Sequence, residues 1–403
     1  MEKRLIKLEV ENFRSLRKIS LPLGPVNVLV GPNGAGKTNV LEVFRFLADM
    51  VQTDLVPALE ERGGLDEILF RGGDRTPGYF RIGLEAAWTA ASSLDTPDQY
   101  SLKVGWERAN GQPPLVRAER FRFPNPPGWQ QIVVSNNMVE IFKATSSDLI
   151  PLDTGVRATG ISSVSSGLST LPRLSDETGA REVRALAEQL SAFRVFDVSV
   201  DAARRPSKVP RNGREVLDDN AANLAAFLLA LHRSDEKSWQ RLEADAKAVL
   251  PQLDAIEFDN PSGPAREVVV ALRERGLRRT TQLADASYGT IRLLGLLALL
   301  YDPHPPALTC VEEIDHGLHP QALELLVARI REASERTQFL IATHSPTLAD
   351  RLRPEELIVC ERQDDGSSSI PAVSREQIDH IVAASEGLLL GELWFSGALG
   401  GDL

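Results

Sequence analysis

Apolar and polar side chains alternate along residues 5–10, LIKLEV, and that period of two predicts a first strand. VNVLV at 26–30 reads as a second, apolar strand that runs directly into a glycine-rich turn. From Thr38 to Met50 the spacing becomes helical, with Val40, Val43, Phe44 and Leu47 on one face, so the local order is strand, loop, helix. After a connection holding Gly63, Gly64, Gly72 and Gly73, the runs YFRIGLEAAW, YSLKVGW and LVRAERFRF predict an antiparallel meander. Residues 144–172 are rich in Ser, Thr and Gly and read as loop. Residues 181–193 and 221–250 are helical in pattern, and Pro251 closes the second run. EVVVAL at 267–272 predicts a strand. Beyond it, a helix over 290–301, strand ALTCVE, a helix over 320–334 and strands QFLIAT and ELIVCE alternate, which predicts a mainly parallel α/β core. Neither an internal repeat nor a sustained heptad pattern is evident.

Composition narrows the class. With 403 residues, 42% of them apolar and 25% charged, the chain is globular and long enough for two or three domains, or for one domain with a large insertion. Cys310 and Cys360 are the only cysteines, each inside an apolar stretch that reads as a buried strand, which argues for a reducing cytoplasm. The longest apolar runs, Leu224–Leu231 and Leu293–Tyr301, fall short of the ~18 residues a membrane span requires, and the charged N-terminus carries no secretory pattern. A net charge of −11 argues against coating nucleic acid through overall charge. Two basic clusters remain, Arg204, Arg205, Lys208, Arg211 and Arg214, and Arg273, Arg275, Arg278 and Arg279. Each is either a solvated loop or a DNA-contacting strip.

Four stretches carry chemistry. Gly31 to Thr38, GPNGAGKT, is a full G-x-x-x-x-G-K-S/T between an apolar strand and an amphipathic helix. Its glycines let successive amide N–H groups face phosphates, Lys37 would reach the β- and γ-phosphates, and the Thr38 hydroxyl would hold Mg²⁺. ALTCVEE, ending in Glu312 and Glu313, places two carboxylates at the end of an apolar strand, where nucleotide sits in an open α/β sheet. Glu312 would orient Mg²⁺ and Glu313 would polarise the attacking water. QFLIATHSP ends a strand in His344, where a γ-phosphate sensor would belong. Ala286-Ser287-Tyr288-Gly289-Thr290-Ile291-Arg292 precedes a long apolar helix, and its Ser and Gly offer a hydroxyl and free N–H groups to an anion, or form an ordinary helix cap.

Taken in order, GPNGAGKT, ASYGTIR, VEEIDHGLHP and ATHSP resemble the ABC-type ATPases of the SMC, RecF and OLD group. The phrases ENFRSLRKISLPLGPVNVLVGPNGAGKTNVLE, LDDNAANLAAFLLAL and GELWFSGALGG are similar to RecF/OLD-type bacterial AAA family ATPases. The resemblance implies a P-loop NTPase head of ABC type with an antiparallel β subdomain. Residues 1–145 would form its N-lobe with Walker A, and 255–403 its C-lobe with signature, Walker B and switch histidine. Residues 146–254 would form a mostly helical lid or arm, or a plain packing layer. It implies ATP and Mg²⁺ as ligands: Asn33, Gly34, Ala35, Gly36, Lys37, Thr38 and Asn39 around the nucleotide, Thr38 and Glu312 on the metal, and Lys37, Glu313 and His344 in catalysis. Ser287 and Gly289 fall in the signature, which in such ATPases closes over ATP held by another subunit, so a head-to-head homodimer or higher oligomer is implied. Asp315 to Pro320 is the D-loop region. Ala286 replaces the usual Leu, Tyr288 fills a position often held by Gly or Asp, Glu312 stands where an Asp is usual, and no Q-loop glutamine is evident.

The functional expectation is an ATP-driven switch acting on or near DNA, in anti-phage defence or DNA maintenance. Only 59 residues follow His344, so no Toprim nuclease domain is expected within the chain, and a separately encoded effector such as a Toprim-like nuclease is the expected partner. A transporter ATPase subunit is the alternative that spacing opposes, because 250 residues separate Lys37 from Ser287, the long gap of the SMC/RecF arrangement. A low-turnover nucleotide sensor is the other alternative.

Overall fold

The computed structural model describes residues 4–107, 114–144, 161–173, 180–209, 215–260, 266–385 and 387–400. Most of the Ser/Thr/Gly-rich stretch, together with Arg211 and Arg214 of the first basic cluster, lies outside these residues.

The chain begins with β1 (Arg4–Phe13), β2 (Leu16–Pro22), β3 (Val26–Val30) and the helix α1 (Lys37–Gln52). Five long strands follow: β4 (Tyr79–Ala87), β5 (Asp98–Trp106), β6 (Leu115–Asn125), β7 (Gly128–Ser135) and β8 (Met138–Ala144). Then come α2 (Ala180–Ser191), β9 (Arg194–Phe196), α3 (Leu224–Ser234), α4 (Glu236–Val249), β10 (Leu253–Asp259) and β11 (Glu267–Glu274). The last part holds α5 (Tyr288–Leu300), β12 (Leu308–Glu312), α6 (Pro320–Ala333), β13 (Gln338–Thr343) and β14 (Leu357–Val359).

The antiparallel meander is larger than the three expected runs. A seven-stranded sheet forms in the order β2-β1-β4-β5-β6-β7-β8, every pairing antiparallel. The second sheet is the parallel core, in the order β14-β3-β13-β12-β9. Alternation along its strands assigns its two faces. Leu29, Leu308, Cys310, Leu340 and Ala342 enter the apolar layer shared with α1 and the antiparallel sheet. Val28, Val30, Val311, Phe339 and Ile341 enter the layer shared with α3, α5 and α6. Strands covered on both faces must be near-continuously apolar, which is why VNVLV, LTCVE and QFLIAT read as they do.

Helix α1 is clamped between the two sheets. Phe46 on α1 and Phe13 on β1 both meet Phe80 on β4 edge-on, each at 5.6 Å between ring centroids. Such contacts add directional preference to the area that the rings bury. Helix α5 is apolar nearly all round and correspondingly buried.

The stretch expected as a lid or arm does not project in its described part. Arg194–Phe196 joins the core sheet beside β12, and α3 and α4 pack on α5 within the same apolar layer, the packing-layer arrangement. The helical run over 221–250 is also two helices: Asp235 ends the first and caps the second, its carboxylate accepting from Ser238 N at 3.0 Å. In the second basic cluster, Arg273 pairs with Glu257 and Arg275 with Asp254. Among the described residues no helix is long and apolar enough to cross a membrane.

One buried ion pair pins the segment before α2 to the antiparallel sheet. Arg117 and Glu119 on β6 lie 3.4 Å apart with side chains fully out of solvent. Glu119 also accepts from Tyr100 Oη at 3.0 Å and from Gly167 N at 2.6 Å. Burial pushes this carboxyl up, and the Arg117 guanidinium and these hydrogen bonds pull it back. Glu119→Ala strands the guanidinium without its carboxylate and should cost about 3–5 kcal/mol in urea unfolding. A loss within 1 kcal/mol, about the worth of an exposed pair, would mean that the pair contributes little.

Candidate active site

The functional side chains leave the core sheet where its strands end. β3 runs into the turn Gly31–Gly36, and α1 begins at Lys37. A side chain at Gly31 would lie 2.3 Å from the Cys360 carbonyl, so only glycine lets the turn pass β14. Gly36 has φ +98°, and a Cβ there would meet the hydroxyls of Ser368 and Ser15 at 2.1 and 2.8 Å. Asn39 donates to that same Ser15 hydroxyl at 2.7 Å, tying the start of α1 to the turn between β1 and β2.

Lys37 Nζ donates to the carbonyls of Gly31 and Pro32 at 2.7 and 2.9 Å, which curls its side chain back over the loop. Burial holds its ammonium below the usual lysine range, opposed by nearby anionic groups including Glu313 and Asp315. The Thr38 hydroxyl faces the Glu312 carboxylate across the cavity. Glu312 closes β12 and is pushed up from the ordinary carboxylate range by burial, while Thr38 and Arg45 counter that shift. Arg45 lies 4.0 Å from Glu312 and also pairs with Glu42.

Glu313 follows β12 with φ +45°, a left-handed conformation that costs a non-glycine residue about 1–3 kcal/mol. Three hydrogen bonds impose it. Its N–H donates to the Ala342 carbonyl at 2.9 Å, and its own carbonyl accepts from Arg292 Nη2 at 2.5 Å and from His316 N at 3.0 Å. Beyond β13, the Thr343 hydroxyl donates to Asp315 and accepts from Ser345 N, setting the direction in which His344 departs.

These elements enclose one cavity of about 380 Å³, lined by Asn33, Gly34, Gly36, Lys37, Thr38, Asn39, Glu312, Glu313 and His344. Ala35 is fully buried beneath the turn and does not line it. Ser287 and Gly289 also lie outside this cavity. Ser287 is exposed and caps α5, accepting from Thr290 N at 3.2 Å. Tyr288 is 43% exposed and lies over the turn at Gly317, where a Cβ would stand 2.6 Å from its ring. Asp197, Ala342 and Thr343 also line the cavity, although sequence reasoning did not select them. Asp197 comes directly after β9, and its only signal in the sequence is a carboxylate closing the short apolar run RVFD. The Thr38 hydroxyl, the Glu312 carboxylate and Asp197 are hard oxygen groups of the kind Mg²⁺ takes together with phosphate and water. A second cavity of about 500 Å³ shares Asn39 with the first and is walled by Arg14, Ser15, Phe70, Gly72 and Arg362.

The family model described as "AAA domain, putative AbiEii toxin, Type IV TA system" matches residues 26–350. An OLD nuclease of Thermus scotoductus is 51% identical over 55 residues, 14% of this chain and 10% of that protein. The DNA replication and repair protein RecF of Brucella abortus is 51% identical over 43 residues, 10% of this chain and 11% of that one. The matched stretches thus span about a tenth of these curated relatives' length. A solved Smc head domain with an extended coiled coil, bound to the C-terminal domain of ScpA and derived from Pyrococcus furiosus, is similar with a TM-score of 0.55. It is 14% identical and covers 96% of this chain and 100% of that one. At that identity the likeness is one of fold: an SMC-head-like α/β architecture with an antiparallel sheet.

Gly36→Ala forces a Cβ into the Ser15–Ser368 contact at a left-handed position. About 1–3 kcal/mol of strain should weaken MgATP binding by about tenfold to a hundredfold in titration calorimetry. Unchanged affinity would rule the turn out as the phosphate cradle.

Proposed function

Since the chain belongs to this AAA-domain family, whose architecture is that of P-loop ATPases of the SMC/RecF/OLD kind, we propose that it binds and hydrolyses ATP as a switch. One observation carries the proposal: Lys37, Thr38, Glu312, Glu313 and His344, from three separate strand ends, line a single cavity. In the proposed mechanism, the amide groups of the Gly31–Gly36 turn and the Lys37 ammonium balance the phosphate charge. The N-terminal end of the 16-residue α1 adds its dipole. Thr38 and Glu312 hold Mg²⁺, which when bound neutralises charge on the phosphate oxygens. Glu313 orients the attacking water and accepts its proton, and His344 contacts the γ-phosphate. Such chemistry is mostly positioning and charge neutralisation. The base and ribose face the second cavity, which Asn39 joins to the first.

Ser287 is exposed at the start of α5, and neither it nor Gly289 lines the cavity of its own chain. A second copy docked head to head would bring them to the γ-phosphate, so the ATP-bound state is the closed dimer and hydrolysis opens it. The named roles of the relatives, a nuclease and a DNA replication and repair protein, support coupling to DNA or to a separately encoded effector such as a Toprim-like nuclease. Anti-phage defence or DNA maintenance is the setting that fits.

A second reading, a nucleotide sensor with little turnover, is favoured by Tyr288 alone. It is a bulky residue inside the signature, and its ring lies over the turn at Gly317, 5.6 Å from the His316 ring.

Glu313→Gln separates the two readings. It should retain MgATP binding and lose about 10²–10⁴-fold in phosphate release. It should also shift to a dimer or larger assembly in light scattering only when MgATP is present. A mass that ignores ATP while nucleotide still binds would sink the closure model. Wild-type turnover no faster than the mutant's would establish the sensor.

A further inference from the structure

Arg292 is buried, with its side chain only 3% exposed, and its guanidinium lies among backbone carbonyls. Nη1 donates to the Val198 carbonyl at 3.2 Å and stands 3.7 Å from the Asp197 carboxylate. Nη2 donates to the carbonyls of Glu312 at 3.4 Å and Glu313 at 2.5 Å. One side chain on α5 therefore touches the residue that ends β12, the strained residue after it, and the two residues after β9. Burying a guanidinium is costly unless its donors are satisfied, and here Nε has no partner, so stability alone does not account for the arrangement. The packing around it is close as well. A Cβ at Gly295, one turn further along α5, would lie 3.1 Å from Val198 Cγ1, so the helix sits directly against the segment that carries Asp197.

Position along α5 gives this contact its consequence. Arg292 lies five residues after Ser287, which caps the same 13-residue helix. Glu313 has φ +45° and no local preference for that conformation, so the hydrogen bonds on its N–H and carbonyl decide where its side chain points. A displacement of α5 by one residue's rise, about 1.5 Å, would carry the guanidinium away from a carbonyl now at hydrogen-bond distance.

We propose that Arg292 is the positioning residue that couples the exposed start of α5 to the hydrolytic carboxylate. Through it, docking against Ser287 and Gly289 is felt at Glu313 and at Asp197. Arg292 touches neither nucleotide nor water; it acts by fixing the backbone of a residue that does. A lysine is no substitute, because its donors all leave one nitrogen, whereas these carbonyls are spread across both Nη atoms of the guanidinium. This inference rests on the ATPase reading above.

The test is Arg292→Lys, alone and combined with Glu313→Gln. MgATP affinity is measured with a fluorescent ATP analogue and hydrolysis in single turnover with enzyme in excess. Arg292→Lys should keep affinity within about threefold of wild type and lose about tenfold to a hundredfold in rate. In the Glu313→Gln background it should cost nothing further, because its effect passes through Glu313. A wild-type rate, a parallel loss of affinity and rate, or losses that multiply in the double variant would each overturn the proposal. An inactive wild type that binds MgATP would overturn the ATPase reading instead.

Removing a buried guanidinium can cost the fold, so a second arm uses Asp197→Asn, whose parent side chain is 61% exposed. Asp197→Asn should lower the rate severalfold, again with no further loss beside Glu313→Gln; losses that multiply beside Glu313→Gln would overturn the coupling.

Discussion

The structure depends on one constraint: β3, β13 and β12 lie side by side and run the same way. Parallel strands open their carboxyl ends on one edge of the sheet, and each residue of interest is the last of its strand or follows closely. Gly31 follows Val30, Glu312 closes β12, and His344 follows Thr343. A side chain one residue beyond a strand is placed by the sheet's hydrogen bonds more than by its own loop. The sheet can hold five parallel strands only if both faces are covered. The seven-stranded antiparallel sheet with α1 covers one face, and the layer of α3, α5 and α6 covers the other.

Much of this was readable in the sequence because the signals are local. The P-loop pattern spans eight residues between a strand and a helix, and it forms as such. ALTCVEE and QFLIATH each state strand, burial and terminal chemistry in one short run. What stayed hidden is non-local. β9 has three residues, too few for any period, and it is a strand only because β12 offers it an edge. Asp197 therefore looked like part of an insertion, when pairing with β12 brings it to the cavity wall. The same pairing ties the described part of the expected arm to the core sheet. Arg117 and Glu119 are charged residues on β6, which reads as half polar. They share the strand face of Phe121 and Phe123, and the contacts to Tyr100 and Gly167 show what charges on that inward face are for.

The departures from the usual pattern also make sense only together. Tyr288, bulky where backbone is expected to approach phosphate, has its ring over Gly317 and 5.6 Å from the His316 ring. His316 Nδ1 in turn lies 3.6 Å from the Glu313 carboxylate. Gly317 has φ +71° and no side chain, and both properties are needed where Tyr288 rests against it. The start of α5 and the loop after β12 are thus fitted to each other in the single chain.

A partner docking on Ser287 and Gly289 must therefore either accept the tyrosine ring in place or displace it. Displacement would free His316 and the turn at Gly317 together, because both lean on the same ring. Arg292 sits beneath that surface and holds the backbone of the carboxylate that His316 approaches from above. Two contacts, one buried and one exposed, thus join the same helix to the same residue. The Arg292 side chain is itself buried, whereas the contact through Tyr288 and His316 is open to competition from solvent and from a partner. In the proposed closure the exposed contact would respond first, and the buried one would determine whether Glu313 stays in line for hydrolysis.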